Sequence, residues 1–293
     1  MTNKQKAKYW REYARQNAIY ERRGEEMFLV ALIASVRNII VFAKENGLEE
    51  ALRNVDSQFD QETILKAYVA FYLFVGKAHR KWEMKLWDTK FGRSLRIPRP
   101  LAIQEVTNSS VVTFSAGFRN EQWVINLQKL TQSLDVAVRV TQVSETTKKE
   151  IRKVLADLLR EEVRQDVIAE RLYQHFNGSI TRQRARLIAR TETTYITNVA
   201  AEQAAKEIAE ENGLLLTKQW VATLDDRTRD THRMVGSSQP IKAEDKFLVG
   251  GKKMDKPGDP AGGAAEVCNC RCIAAYFPAD DYQDLFGMDG FIS

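Results

Sequence analysis

The chain has 293 residues, 44% of them apolar, and a formal net charge of +5. That is enough length and apolar content to bury a substantial core in one domain or two, so the chain should fold. No uninterrupted apolar run approaches the roughly 18 residues that cross a bilayer; the strongest, Met27–Ile33, is soon followed by Arg37, and no membrane partner is expected.

The N-terminus is basic but lacks the apolar segment and small-residue cleavage site of a secretory signal. This points to synthesis in a cytosol, where the three cysteines stay free. Charge is unevenly spread: residues 1–100 carry 19 Lys and Arg against 12 Asp and Glu, a net +7, and the rest carries 25 against 27, a net −2. A basic N-terminal third suits an acidic partner or nucleic acid, because Lys and Arg neutralise phosphates and release counterions. It suits a solvated surface equally well.

Residues 4–45 hold no proline and one glycine, and read as a long helix that Gly24 divides in two. Its first turns read as an exposed arm, and Met27–Phe42, richer in apolar residues, as the buried part. Asn46-Gly47 is the stop, since both residue types tolerate the left-handed conformation that ends many helices. A second helix spans about 62–90, with Asp60 as N-cap and Tyr68, Phe71, Tyr72 and Val75 on one apolar face. Downstream, His79, Arg80, Lys81, Trp82, Lys85, Trp87 and Lys90 interleave cations with aromatics, a pattern that can stack on bases or pack against a partner. Trp82 and Trp87 read as packing anchors, and His79 as packed rather than ligating, because no second ligand stands near it. Lys4, Lys8, Arg11, Arg15, Arg80, Lys81 and Lys85 are the candidate contacts to DNA or a partner.

Residues 91–119 break the helical pattern with Gly92, Pro98, Pro100 and Gly117, and Val111–Phe114 has the character of a short strand in a hairpin. From 121 to 212 helix returns. Thr147-Lys-Lys-Glu150 has capping-box spacing, so a helix should restart there, with Ile151, Val154, Leu155, Leu158 and Leu159 as its stripe. A short helix over 164–176 stops at Asn177-Gly178 and ends on His175, placed for the negative end of the helix dipole. Together with Arg182, Arg184, Arg186 and Arg190 it can imitate a helix-turn-helix reader, although spacing alone does not present side chains to a groove. A last helix, about 181–212, packs closely through Ala185, Ala189, Ala200 and Ala204. Arg190 and Glu192, two residues apart, must meet different neighbours.

Residues 213–278 read as a loop-rich α+β unit: a strand over 214–221 with Trp220 in the core, a short helix capped by Asp225 or Asp226, a Pro257-Gly-Asp-Pro260 turn, and a last strand over 273–277. The fold class is therefore α+β, with a helical N-terminal region (1–120), a helical lead-in (121–212), the α+β core (213–278) and a tail (279–293). One of three histidines and all three cysteines fall in this core. His232 with Cys268, Cys270 and Cys272 supplies the nitrogen and sulfur donors that zinc accepts. Against that, Cys-x-Cys-x-Cys is not the paired Cys-x-x-Cys spacing, and strand alternation sends successive residues to opposite faces. A Cys/His nucleophilic site is the other chemical reading. The plainest reading has Asp226, Arg229, His232, Asn269 and Arg271 cross-tying loops, with no cofactor and no catalysis.

Ile188-Ala-Arg-Thr-Glu192, Trp220, Asp226-Arg-Thr-Arg-Asp-x-His232, the Pro-Gly-Asp-Pro turn and Asn269-Cys-Arg-Cys272, in that order, resemble the phage Mu F-like minor head proteins, the head-morphogenesis family of tailed phages. The elements cover roughly 165–278; nothing before about residue 120 matches a motif. The resemblance implies a virion structural protein, made in the host cytoplasm and then located in the head. It also implies few copies per particle, contact with the portal or major capsid protein, and a role in head assembly or the fate of packaged DNA. On this reading Arg190 and Glu192 tie the last helix to the α+β core. From its density of aromatic and apolar positions, the helical N-terminal half is expected to mediate incorporation, and the terminal domain to fold without it. The alternatives are a sequence-tolerant DNA-binding protein using the basic N-terminal region, and a Cys/His enzyme.

Overall fold

A computed structural model of the chain describes residues 3–91, 122–223 and 225–279. The expected hairpin at Val111–Phe114 lies outside the described residues, as does the tail from 280 onward. The helices are α1 (Asn3–Ser35), α2 (Arg37–Asn46), α3 (Leu48–Arg53), α4 (Val55–Gln58), α5 (Gln61–Phe91), α6 (Gln122–Thr131), α7 (Leu134–Arg160), α8 (Gln165–Phe176) and α9 (Ser179–Asn212). A smaller mixed region follows: β1 (Leu216–Val221), α10 (Asp230–Gly236), β2 (Ile241–Lys242), β3 (Phe247–Val249), β4 (Lys252–Met254), α11 (Gly263–Val267) and β5 (Ile273–Pro278). The protein is α+β and mostly helical.

The chain divides into two compact units, each discontinuous in sequence. The one comprising Arg22–Tyr72 and Asn126–Ala189 is all helical. Its core is aromatic: the Phe28 ring meets Tyr68 and Phe71 edge-on, with centroids 5.1 and 5.3 Å apart. Gly24 does not break α1. It sits mid-helix because a Cβ there would come within 2.6 Å of the Phe71 ring, so the residue marks a close approach rather than a helix end. The break falls at Val36, between α1 and α2. Within residues 6–46 an 18-residue window reaches a mean hydropathy of 1.9, apolar enough by composition to span a membrane, which a count of uninterrupted residues overlooks. Its Phe28, Leu32, Val36 and Ile39 are buried in this unit, and 39% of the window is buried in all.

Asp60 caps α5 as expected, accepting from the Thr63 amide at 3.0 Å. The Thr147 capping box is a misreading. α7 runs unbroken through it; Thr147 lies mid-helix, its Oγ1 donating to the Val143 carbonyl, and the cap is Ser133, which accepts from the Val136 amide. A hydroxyl four residues from a carbonyl in the same helix satisfies itself locally, so the sequence pattern alone does not mark a start.

The other unit comprises Met1–Glu21, Leu73–Ile125 and Arg190–Ser293. Its sheet is antiparallel with order β2-β1-β5, and Val221 pairs with Ile273 and Trp220 with Ala274. Every residue of β5 is buried, which requires cover on both faces. On one face, Val221, Ile273 and Ala275 pack with Tyr9 and Tyr13 of α1 and with Trp82 and Leu86 of α5. On the other, Ala274 and Tyr276 meet Trp87 and the Ala201, Ala204, Ala205, Ile208 stripe of α9, whose small side chains allow close approach. The first turns of α1 are thus no exposed arm: Tyr9, Tyr13 and Tyr20 are buried, and Lys6 donates to the Gly236 carbonyl at 2.6 Å. Alternation of Lys and Tyr hid one apolar face under the surrounding charge.

Candidate functional site

β1 leads into a loop that carries Asp225, Arg227 and Thr228 before α10 presents His232. The expected helix cap is absent from the Asp225–Asp226 pair, since α10 begins after Arg229 with no side-chain cap. Asp225 instead organises the loop, accepting from the Arg227 amide, the Thr228 hydroxyl and, at 2.5 and 3.0 Å, both terminal nitrogens of Arg271. The Arg271 guanidinium holds the Asp225 carboxyl down at about 2. Asp226 is exposed, and its backbone carbonyl receives Arg233. Arg229 donates to the Cys268 carbonyl at 2.6 Å.

The return from α11 to β5 is held by one face of α9. Thr191 Oγ1 accepts from the Asn269 amide, Thr194 Oγ1 donates to the Cys270 carbonyl, and Asn198 bridges the Cys272 carbonyl and the Ala274 amide. Positions 191, 194 and 198 lie on one helical face. Asn269 takes φ +59°, a left-handed turn that asparagine tolerates, and its Oδ1 accepts from Arg190 at 2.9 Å. Arg190 also pairs with Glu21 at 3.1 Å, while Glu192 is buried. The Pro-Gly-Asp-Pro turn closes on Asp259, which accepts from the amides of Asp255 and Ala261. Gly258, at φ +84°, lies where a Cβ would meet the Tyr195 backbone of α9 at 2.9 Å.

These ties bring His232, Cys270 and Cys272 together. All three are buried, and Nδ1 of His232 lies 3.4 Å from Cys272 Sγ and 3.7 Å from Cys270 Sγ. Nε2 is 3.0 Å from Glu266 Oε2, which also accepts from Thr231 Oγ1 at 2.9 Å. Trp220, fully buried, sets its ring at 73° to the imidazole. Cys268 is exposed and stands apart from the three. Cys270 and Cys272 both precede β5, so the strand alternation counted against the cysteine set does not apply to them; the Cys272 amide donates to Cys270 Sγ at 3.4 Å and folds the two side chains together. A hydrogen bond with Cys272, reinforced by burial, pushes the Cys270 thiol well up; the same bond, aided by His232 and opposed by burial, holds Cys272 below the usual thiol range.

Sequence reasoning named Asp225 only as one of two helix-cap candidates, and it missed Glu266, Thr191, Thr194 and Asn198. The signal for the last three was a polar stripe at helical spacing on an otherwise Ala-rich helix.

The basic candidates separate. Arg80 is buried and forms a two-pronged pair with Glu207, because its side chain points inward along α5; it is removed from the contact set. Lys4, Arg11, Arg15, Lys81 and Lys85 are exposed and Lys8 is half-buried. His79 is buried among the rings of Tyr13, Tyr20 and Trp82. Of the arginines that imitated a DNA reader, Arg184 donates to Thr146 and Thr147, Arg186 pairs with Glu25, and Arg190 is held as above. These three are engaged in internal contacts.

Residues 115–275 match the profile of a family described as "Phage Mu protein F like protein". The match begins about fifty residues before the motifs read from the sequence. NAD(+)–arginine ADP-ribosyltransferase EFV of Enterococcus faecalis (strain ATCC 700802 / V583) is 34% identical over 85 residues, 29% of this chain and 17% of that protein. Minor head protein GP7 of Bacillus phage SPP1 is 33% identical over 115 residues, 37% of this chain and 34% of that protein. The matched stretches thus span about a sixth and a third of these relatives' lengths. No solved structure matches.

Proposed function

The chain belongs to the phage Mu protein F like family, and from that premise we propose that it is a minor structural component of a tailed-phage head, joined to the portal or major capsid protein and acting in head assembly or the fate of packaged DNA. The observation that carries this is the family match over 115–275, together with the resemblance to a phage minor head protein. The structure adds support of a different kind: the family's polar residues are used as cross-ties. Arg190, Asn269, Arg229 and Arg271 each hold a backbone or side-chain group of the α+β region. We assign no reaction to the protein. The resemblance to an arginine ADP-ribosyltransferase covers 17% of that enzyme, too little to carry its activity across.

The test is crosslinking mass spectrometry on purified particles. Peptides of this chain in assembled heads, linked to portal or major capsid chains, are the expected result; absence from particles overturns the proposal.

A second reading rests on basic side chains of α1 and α5. Lys4, Lys8, Arg11 and Arg15 recur at spacings of four, three and four along α1, one helical face, and Lys81 and Lys85 are one turn apart on α5. Such a stripe suits electrostatic, sequence-tolerant contact with DNA. Binding to unrelated duplexes with equal affinity and a steep loss with salt would support it; salt-insensitive binding would not.

A further inference from the structure

His232 Nδ1, Cys270 Sγ and Cys272 Sγ lie within 4.8 Å of one another. A tetrahedral zinc ion, with Zn–S of about 2.3 Å and Zn–N of about 2.05 Å, sets a ligand nitrogen and a ligand sulfur roughly 3.6 Å apart. The two nitrogen–sulfur separations here, 3.4 and 3.7 Å, fall on either side of that value.

A thiol–imidazole hydrogen bond spans a similar distance, so separation alone does not decide between them. The other ring nitrogen sets the orientation of the imidazole. Nε2 of His232 faces the Glu266 carboxylate at 3.0 Å, and a carboxylate can only accept, so the ring proton belongs on Nε2. Nδ1 then has a single lone pair directed at two sulfurs. One S–H can use it, which leaves the other thiol to bond to its neighbouring sulfur, whereas a metal ion engages all three atoms at once. An imidazole with one nitrogen on a carboxylate and the other on the ion is the arrangement that orients histidine ligands in zinc sites. Glu266 is itself fixed by Thr231, and the chain opposite is Gly250, where a Cβ would collide with Glu266 Oε1.

We propose that His232, Cys270 and Cys272 hold a zinc ion, with Glu266 orienting the histidine. Sulfur and imidazole donors select zinc over calcium and magnesium, which take oxygen. Two thiolates and a neutral imidazole balance the dication, so the assembled centre adds no net charge to a site whose three donors are at most 2% exposed. Binding displaces the two thiol protons to solvent. Three protein donors leave a fourth position for water or another exogenous ligand. The ion would bind α10 to the start of β5, so it would add a link to a region otherwise held by hydrogen bonds and ion pairs.

The test uses the full chain, purified reduced and without chelators. Elemental analysis should find about one zinc per chain, and cobalt added to the stripped protein should give tetrahedral bands with thiolate charge transfer. Cys270→Ser and Cys272→Ser should each weaken those bands. Because the cysteine variants can fail to fold, Glu266→Gln is the second arm: it should keep the bands and weaken cobalt affinity by about 10–100-fold. Zinc far below one per chain with no thiolate–cobalt band in the wild type overturns the proposal. Unchanged affinity in Glu266→Gln overturns the part given to Glu266.

Discussion

Arg271 holds Asp225 with both terminal nitrogens, 46 residues away in sequence, and so fastens the loop after β1 to the entrance of β5. The pairing depresses the Asp225 carboxyl from 3.8 to about 2. A carboxyl depressed in the folded state contributes stability that is fully present above its unfolded value. That contribution is lost as pH falls through the folded value. Asp225→Asn should therefore be less stable than the wild type at pH 7, by about 1–2 kcal/mol for a half-exposed charged pair. The difference should shrink as pH falls from about 4 to 2. Denaturant melts of both proteins across that range check it; a gap that stays constant would detach Asp225 from the acid response.

Asn198 offers a sharper measure of the ties from α9. It is fully buried, donates to the Cys272 carbonyl and accepts from the Ala274 amide at 2.7 Å. Asn198→Ala leaves two buried backbone groups without partners and should cost about 2–4 kcal/mol. Asn198→Asp keeps the acceptor and, while protonated, one O–H donor, so it should cost part of this at low pH and more at neutral pH, where the donor is lost and a buried charge appears. Thermal melts at two pH values separate the two variants.

These residues also mark where the sequence stopped being legible. Long helices announced themselves through apolar periodicity, and α5, α8 and α9 fall close to their expected ranges. Trp220, His232 and the Asn-Cys-Arg-Cys close stood out by rarity. What joins them could not be read, because each tie runs between residues 34 to 79 apart that share no local pattern: Glu266 to His232, Asp225 to Arg271, Asn198 to Cys272, Arg190 to Asn269. Asp225 and Asp226 are adjacent and chemically identical, and only the loop conformation chooses between them. Thr147 misled for the opposite reason, carrying a local pattern that the surrounding helix overrides.

The cover of the sheet bears on any truncation. Tyr9, Tyr13, Trp82, Met84 and Trp87 supply much of the packing on β1 and β5. The sequence suggested that a fragment lacking residues 1–120 would keep a folded terminal domain. The structure predicts otherwise: without those side chains both faces of β5 lose buried apolar contacts, at about 1.5–3 kcal/mol for each large residue, in total comparable to a typical domain's whole net stability. The fragment should lack a cooperative melt. A cooperative transition in calorimetry would refute this, and incorporation into particles is better tested with surface variants of the full chain.

The last prediction concerns the Gly250-Gly251 turn between β3 and β4. Both glycines have positive φ, +55° and +77°, as the two central residues of a tight two-residue hairpin turn must. They differ in surroundings. A Cβ on Gly251 meets nothing within 4 Å, whereas one on Gly250 would collide with Glu266 Oε1 and approach Thr231. Alanine at either position bears the left-handed strain, about 1 kcal/mol. Gly250→Ala must in addition displace the carboxylate that accepts from Thr231 and faces His232, a further loss of about 1–3 kcal/mol. The pair is therefore its own control: Gly251→Ala should lower stability modestly, and Gly250→Ala by roughly twice that or more. Equal losses in the two variants would mean that Glu266 is not held where the structure places it.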